Sequence, residues 1–328
     1  MVMIKMSKEI RGVYFHLDAQ KYDSVKKVQD IENIFKELSE LGITLIFPLA
    51  KNTRTQVYYP SKILKDRVFK NIDFLAIVTR IAHEYNMEVH PQYCVFSHGE
   101  DFMKKHSEWA FTDRSGVKKS FLCPSNTEAR EFEKNIIREI IDNYDVDGIS
   151  LDYIRSPHGV CYCKNCISKF ENLTGIDPRS LENWGNEMYE WWEWQRMQIT
   201  NFVNEIGELI HEKDLKLSAY VWTTSARWNV IQDWPAWVRR RLLDFIIPTG
   251  YVYSLDVFSK VVQEDLIVVK NIIPMYICIG VRTSHGFIEN AFKVMQYIDI
   301  VRRYGLPGYV FFSLPGLLPL INDLKNII

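Results

Sequence analysis

"VDGISLDYI", residues 146–154, sets Asp152 at the end of a run of alternating aliphatic and small side chains. In an extended chain Ile149, Leu151 and Tyr153 share one face, while Gly148, Ser150 and Asp152 share the other. Such a strand packs its aliphatic side on helices and turns its small and polar side towards a confined interior. Its neighbours fit that reading. The helical stretch "TEAREFEKNIIREIIDNYD" comes before it, and a long excursion into a helix around 188–212 comes after.

The same alternation extends to both ends of the chain. "RGVYFHLD" (11–18), "ITLIFPLA" (43–50) and "MEVHPQYCV" (87–95) read as the first three strands. "LKLSAYVW" (215–222), "DFIIPTGYV" (244–252), "IIPMYICIG" (272–280) and "GYVFFSL" (308–314) read as the last four. Amphipathic stretches such as "VQDIENIFKELSELG" and "IENAFKVMQYIDIVRRYG" separate them. Eight such units without a linker predict an α/β fold, a single (β/α)8 TIM barrel over residues 1–328. Its long third and fourth βα loops, 96–126 and 155–187, are expected as insertions on the face where barrel active sites are built. A doubly wound open sheet is the competing architecture, but no glycine-rich phosphate fingerprint follows the first strand.

Composition narrows the class. The 328 residues are 47% hydrophobic and 25% charged, with a formal net charge of -1, which speaks against a basic nucleic-acid-binding surface. The apolar "YVFFSLPGLLPLI" is short and broken by proline and glycine, so no membrane partner is expected. "MVMIKMSKEI" lacks a secretory apolar region, and the expected location is cytoplasmic. The sequence gives no sign of an organic cofactor and none of the oligomeric state.

Strand alternation then assigns the barrel mouth. Tyr14, His16 and Asp18 face inward from the first strand, Glu88, His90 and Gln92 from the third, and Ser218, Tyr220 and Trp222 from the fifth. Each also reads as a satisfied polar residue of a barrel interior. Asp152 stands out because a carboxylate at a strand's end must be paired, solvated or catalytic.

"CYCKNC" (161–166) holds three of the six cysteines. Cys161, Cys163 and Cys166 are spaced to meet one tetrahedral zinc, and Cys123 in "FLCPSNTEAR" is the expected fourth ligand, ahead of His158. A four-cysteine site has no open position, so this zinc is expected to be structural. Free thiols, or Cys163 and Cys166 as a redox pair, are the alternatives. Cys94 and Cys278 read as small core residues.

With these residues in place, the chain resembles the glycosyl-hydrolase-like family 10 barrels. The likeness runs from "RGVYF" through "VYYPSKIL", "MEVHPQYCVF", "HSEW" and "DVDGISLDYIRSP" to "DFIIPTGYV" and "GYVFFSL". The cysteine arrangement is similar to the zinc loop of family 42 β-galactosidases. The resemblance implies a glycoside hydrolase acting on an oligo- or polysaccharide by carboxylate acid/base catalysis, with the "LDYIR" acid, Asp152, at its centre. Two departures matter. "IIPMYICIG" has no acid where those β-galactosidases carry a seventh-strand glutamate, and "LKLSAYVW" has none where α-amylase-like barrels carry one on the fifth.

Glycoside hydrolysis usually needs two carboxyl groups. Asp18 is the preferred second one, with Glu100, Asp101 and Asp233 behind it. Asp152 is expected to work as acid or base, with Arg155 favouring its ionised form, which suits a nucleophile or base better than an acid. Hydrolysis assisted by the substrate's own N-acetyl group would remove the need for a second carboxylate. Carbohydrate contacts are expected from His16, Tyr58, Tyr59, His90, Gln92, Arg155, Trp222, Tyr251 and Tyr253. In "YEWWEWQ" (189–195) Trp191 and Trp194 share a face and read as packing, with Trp192 pointing elsewhere. The alternative function is a carbohydrate-binding TIM barrel without catalysis. A metal-dependent amidohydrolase ranks last, since the fifth and sixth strands contain no histidine.

Overall fold

The computed structural model describes residues 9–328. Residues 1–8, on which the reading of a leaderless N-terminus rests, lie outside the described residues. The eight expected strands are all present: β1 (Ile10–Phe15), β2 (Leu45–Lys51), β3 (Glu88–Val89 and Gln92–Cys94), β4 (Gly148–Asp152), β5 (Lys216–Val221), β6 (Phe245–Pro248), β7 (Tyr276–Gly280) and β8 (Gly308–Phe312). Between and after them run α1 (Val28–Glu40), α2 (Phe74–Glu84), α3 (Thr127–Asn143), α4 (Asn186–His211), α5 (Trp234–Arg239), α6 (Leu255–Val269), α7 (Ala291–Arg303) and α8 (Ile321–Lys325).

All neighbouring strands pair in parallel, in the order β7-β8-β1-β2-β3-β4-β5-β6. The β6–β7 seam is held by a single bridge between Ile246 and Met275, with Ile246 N donating to Pro274 O at 3.0 Å. The result is a nearly closed (β/α)8 TIM barrel. Pro91 interrupts β3, because a proline has no N–H to give the ladder.

The helices start where short polar side chains can cap them. Asp73 accepts from Ala76 N at α2, Asn126 from Ala129 N at α3, and Asn290 from Lys293 N at α7. Each turns one apolar stripe inward, as α3 does with Ile136, Ile137, Ile140 and Ile141. These stripes meet the outward strand residues Val13, Phe15, Ile149 and Leu151 in one continuous core. Inside the barrel a second, smaller cluster of Tyr14, Leu45, Phe47, Tyr220, Phe245, Ile247, Cys278 and Val310 fills the lumen. Gly148 is required here, since a Cβ would lie 2.5 Å from the His90 ring and 2.3 Å from Lys216 O.

Both long loops sit on the face where the strands end. The third contains the helix Glu100–Lys105 and a hairpin of Ala110–Thr112 with Lys118–Leu122. The fourth contains the helix Lys164–Thr174. Among the described residues no helix is long and apolar enough to cross a membrane.

Candidate active site

Asp152 closes β4, inward-facing and 8% exposed. Register sets Gln92 of β3 beside Ser150 and Cys94 beside Asp152. From there Gln92 Nε2 donates to Asp152 Oδ2 at 2.7 Å, and Tyr153 N donates to Oδ1 at 2.7 Å. The amide oxygen of Gln92 lies 2.5 Å from His16 Nε2, just past the end of β1. An amide oxygen only accepts, so this histidine carries its proton on Nε2. Burial lowers the His16 pKa, which keeps the ring neutral. The relay His16–Gln92–Asp152 thus orients the carboxyl group across three strands without placing a cation on it.

Burial is the largest influence on Asp152 and raises its pKa. The bonds from Gln92 and Tyr153 N oppose it, and Arg155 comes after them. Arg155 does favour the ionised form, as expected, but desolvation outweighs it. The Arg155 guanidinium instead donates to Ser156 O at 2.9 Å and lies over the rings of Tyr153 (4.6 Å) and Trp222 (5.0 Å).

Tyr153 was assigned outward by alternation. The strand stops at Asp152, and Tyr153 takes a left-handed φ of 50°, unusual for a side chain of this size. That turn brings its ring against Arg155 and within 6.2 Å of the Phe121 ring from the third-loop hairpin. Opposite, Tyr251 lies 5.1 Å from Phe312 and 5.9 Å from Tyr220, while Tyr253 OH meets Thr283 Oγ1 at 2.7 Å. His16, Gln92, Asp152, Arg155, Trp222, Tyr251 and Tyr253 all lie at or just beyond the strand ends that frame the mouth.

Four expected site residues are engaged with other partners. Asp18 stands three residues beyond the end of β1, where alternation no longer applies; it is exposed and caps a short helix by accepting from Gln20 N at 3.0 Å. Tyr58 packs on Phe69 and Phe74 outside the barrel. Tyr59 is buried and donates to Glu139 Oε2 at 3.1 Å. His90 is sealed near the entry end of β3, between Phe47 and Phe245, with its Nε2 3.4 Å from Glu88.

Beside the mouth, Cys123 from the third loop meets Cys161, Cys163 and Cys166 from the fourth. All four are buried, and their sulfurs lie within 4.8 Å of one another. Cys123 Sγ is 3.2 Å from Cys166 Sγ and 3.5 Å from Cys163 Sγ, without a disulfide. Four thiolates around a metal at Zn–S distances of about 2.3 Å have sulfur–sulfur edges of roughly 3.8 Å, so the donor set fits such an ion.

Residues 9–294 match the family model described as glycosyl hydrolase-like 10. The chain belongs to this family. The S-layer-related protein of Niallia circulans is 24% identical over 294 residues, covering 69% of this chain and 18% of that protein. The chain thus spans less than a fifth of the curated relative it matches. Among solved structures, the PgaB (BpsB) glycoside hydrolase domain of Bordetella bronchiseptica superposes with a TM-score of 0.77 at 11% identity, over 98% of this chain and 99% of that one. The α-L-fucosidase isoenzyme 2 of Paenibacillus thiaminolyticus gives 0.71 at 16%, over 98% and 49%. The GH42 β-galactosidase Gan42B of G. stearothermophilus gives 0.66 at 10%, over 97% and 56%. At these identities the likeness to solved structures is one of fold.

This glycosyl hydrolase-like 10 barrel has few acids in its wall. Glu88 and Asp152 are the only ones in the eight strands, and Glu88 lies at the opposite end, paired with Lys216 Nζ at 2.8 Å. Sequence reasoning did not mark Tyr153, Phe121 or Phe312 as parts of the mouth. Phe312 was legible, as the last alternating residue of β8. Tyr153 and Phe121 were not, because a left-handed turn and a hairpin contact set their directions.

Proposed function

We propose that this barrel hydrolyses glycosidic bonds of an oligo- or polysaccharide, with Asp152 as the acid that protonates the departing oxygen. The observation that carries this reading is a buried carboxyl group at the end of β4, raised in pKa by burial and aimed by Gln92. Aromatic rings and Arg155 around it offer the flat apolar faces and hydrogen-bond donors that a sugar ring needs. The glycosidases among the structural neighbours support a carbohydrate as the substrate class.

Asp18 can act as the second carboxylate only by leaving its cap bond to Gln20 N. The reading we favour is a substrate whose own N-acetyl oxygen attacks the anomeric carbon, with Asp152 as the one protein acid required. The scarcity of acids in the wall also favours a second reading, a carbohydrate-binding barrel without catalysis.

The four cysteines are proposed to hold a structural Zn2+ that pins the third and fourth loops beside the mouth. A closed thiolate site takes no part in bond cleavage. Six cysteines without a disulfide fit a reducing compartment such as the cytoplasm.

Reducing-end release from α-glucans, β-galactosides and N-acetylated glycans tests the proposal, with wild type and Asp152→Asn side by side. Wild-type cleavage, reduced by about 10²–10⁴ in the variant, is expected. Equal cleavage by both contradicts the assignment. Glycan binding without cleavage by either establishes the second reading.

A further inference from the structure

At the start of α4 lies a groove that the Asp152 chemistry does not use. It has a volume of about 440 Å³ and is lined chiefly by Trp184, Tyr189, Trp192, Arg196 and Trp228. Trp184 is 89% exposed and Tyr189 60%, far more than aromatic side chains of this size usually show. Trp191 and Trp194 on the same helix do something else: they stack at 5.3 Å and pack against Phe170.

A buried cation sharpens the point. Arg196 is only 7% exposed; its Nη2 donates to Glu193, while Nε and Nη1 lie sealed without a partner among the described residues. Buried donors left unpaired are destabilising unless something accepts from them. The guanidinium lies 4.5 Å from the Trp228 ring centroid, and that of Arg227 lies 4.1 Å from it. The two arginines are matched by Glu193 and by Asp233, which is 4.0 Å from Arg196 Nη2 and 3.7 Å from Arg227 Nη1. The groove therefore suits a neutral ligand with an apolar face. A pyranose ring offers one, its C–H side stacking on the rings while its hydroxyls face Glu193 and solvent.

The groove is also tied to the mouth. Trp228 lies on the β5 loop that carries Trp222, and this loop is bonded to the fourth through Ser156 N to Val230 O (2.9 Å) and Gly159 N to Asn229 O (2.8 Å). We propose that this groove is a second saccharide-binding site, which holds a neutral glycan chain on the rim of the face that bears Asp152. The inference rests on the reading that the substrate is a glycan.

Affinity electrophoresis of the full chain tests it, in gels cast with amylopectin, barley β-glucan or glycol chitin. One polysaccharide is expected to retard wild type and Asp152→Asn, and Trp184→Ala to weaken that binding about tenfold. Trp184 is exposed, so this variant folds; Arg196→Gln supplies the polar counterpart. Equal retardation of wild type, Trp184→Ala and Arg196→Gln overturns the site, as does retardation in none of the three gels. Conversion of a wild-type dimer to a monomer by Trp184→Ala, seen by sedimentation, overturns it too and gives the groove to a second copy. Reducing-end release reads Asp152 separately. Cleavage without retardation removes this site and leaves the hydrolase; retardation that depends on Trp184, without cleavage, does the reverse.

Discussion

Asp152 and Glu133 are two carboxyl groups buried almost equally and perturbed in opposite directions. Glu133, on α3, accepts from Lys51 Nζ at 3.1 Å and Tyr93 OH at 2.7 Å, and His98 Nε2 lies 2.9 Å away. Burial raises its pKa, but Lys51 and His98 overcome that and hold it below the usual glutamate range. Asp152 has a neutral amide and a backbone N–H instead of a cation, so burial prevails. Glu133 is a brace that ties β2 and β3 to a helix. Asp152, on the proposed reading, is the proton donor, at the end of β4. Burial alone does not tell them apart; the partners do. Asp265 on α6 is a third case: among the described residues it is bonded by Thr224 alone, through N at 3.1 Å and Oγ1 at 2.6 Å, and its pKa rises to about 7.

The largest effect is expected at the brace. Lys51→Met leaves Glu133 buried and without its cation, and should cost about 3–5 kcal/mol in urea denaturation. A loss under 1 kcal/mol would show that the pair does not act as a brace. Next is Asp265. Its folded pKa lies above the ordinary 3.8, so the folded chain keeps a proton that the unfolded chain has released. The associated stability is present below pH 3.8 and is lost as pH rises to about 7, by up to about 4 kcal/mol. Asp265→Asn should flatten that slope when unfolding is followed from pH 4 to 8; an unchanged slope would assign it to other groups.

Cys163→Ser should remove one equivalent of zinc by elemental analysis and lower the melting temperature by several degrees. Metal retained in full would move the site elsewhere. The smallest effect is expected at Gln92→Leu. Losing the amide donor raises the Asp152 pKa further, so the alkaline limb of the pH–rate profile should move up while overall rates fall modestly. A limb that moves down would break the contrast with Glu133.

How far the sequence could be read follows from the range of each signal. The barrel was legible because strand alternation and helix periodicity are local, and all eight strands recurred with them. Asp152 was legible as the last inward residue of β4, and three of the four cysteines as a tight cluster; Cys123 followed from the adjacency of the third and fourth loops. The brace was not, because Lys51 and Glu133 are 82 residues apart and nothing local marks either. Asp18 was misplaced by extending alternation past Phe15, where the strand ends. The reading of Arg155 considered one nearby charge and not the desolvation that exceeds it. Tyr153 turned because of a single left-handed φ that side-chain patterning does not encode.

The central claim is that Asp152 keeps its proton in a pH range where ordinary aspartates have lost theirs. It is tested most directly by titrating wild type and Asp152→Asn, each labelled with 13C at the aspartate carboxyl carbons, by NMR. We predict that the resonance missing from the variant titrates above the ordinary aspartate range. A midpoint at or below that range would contradict the account and make Asp152 a standing anion, like Glu133.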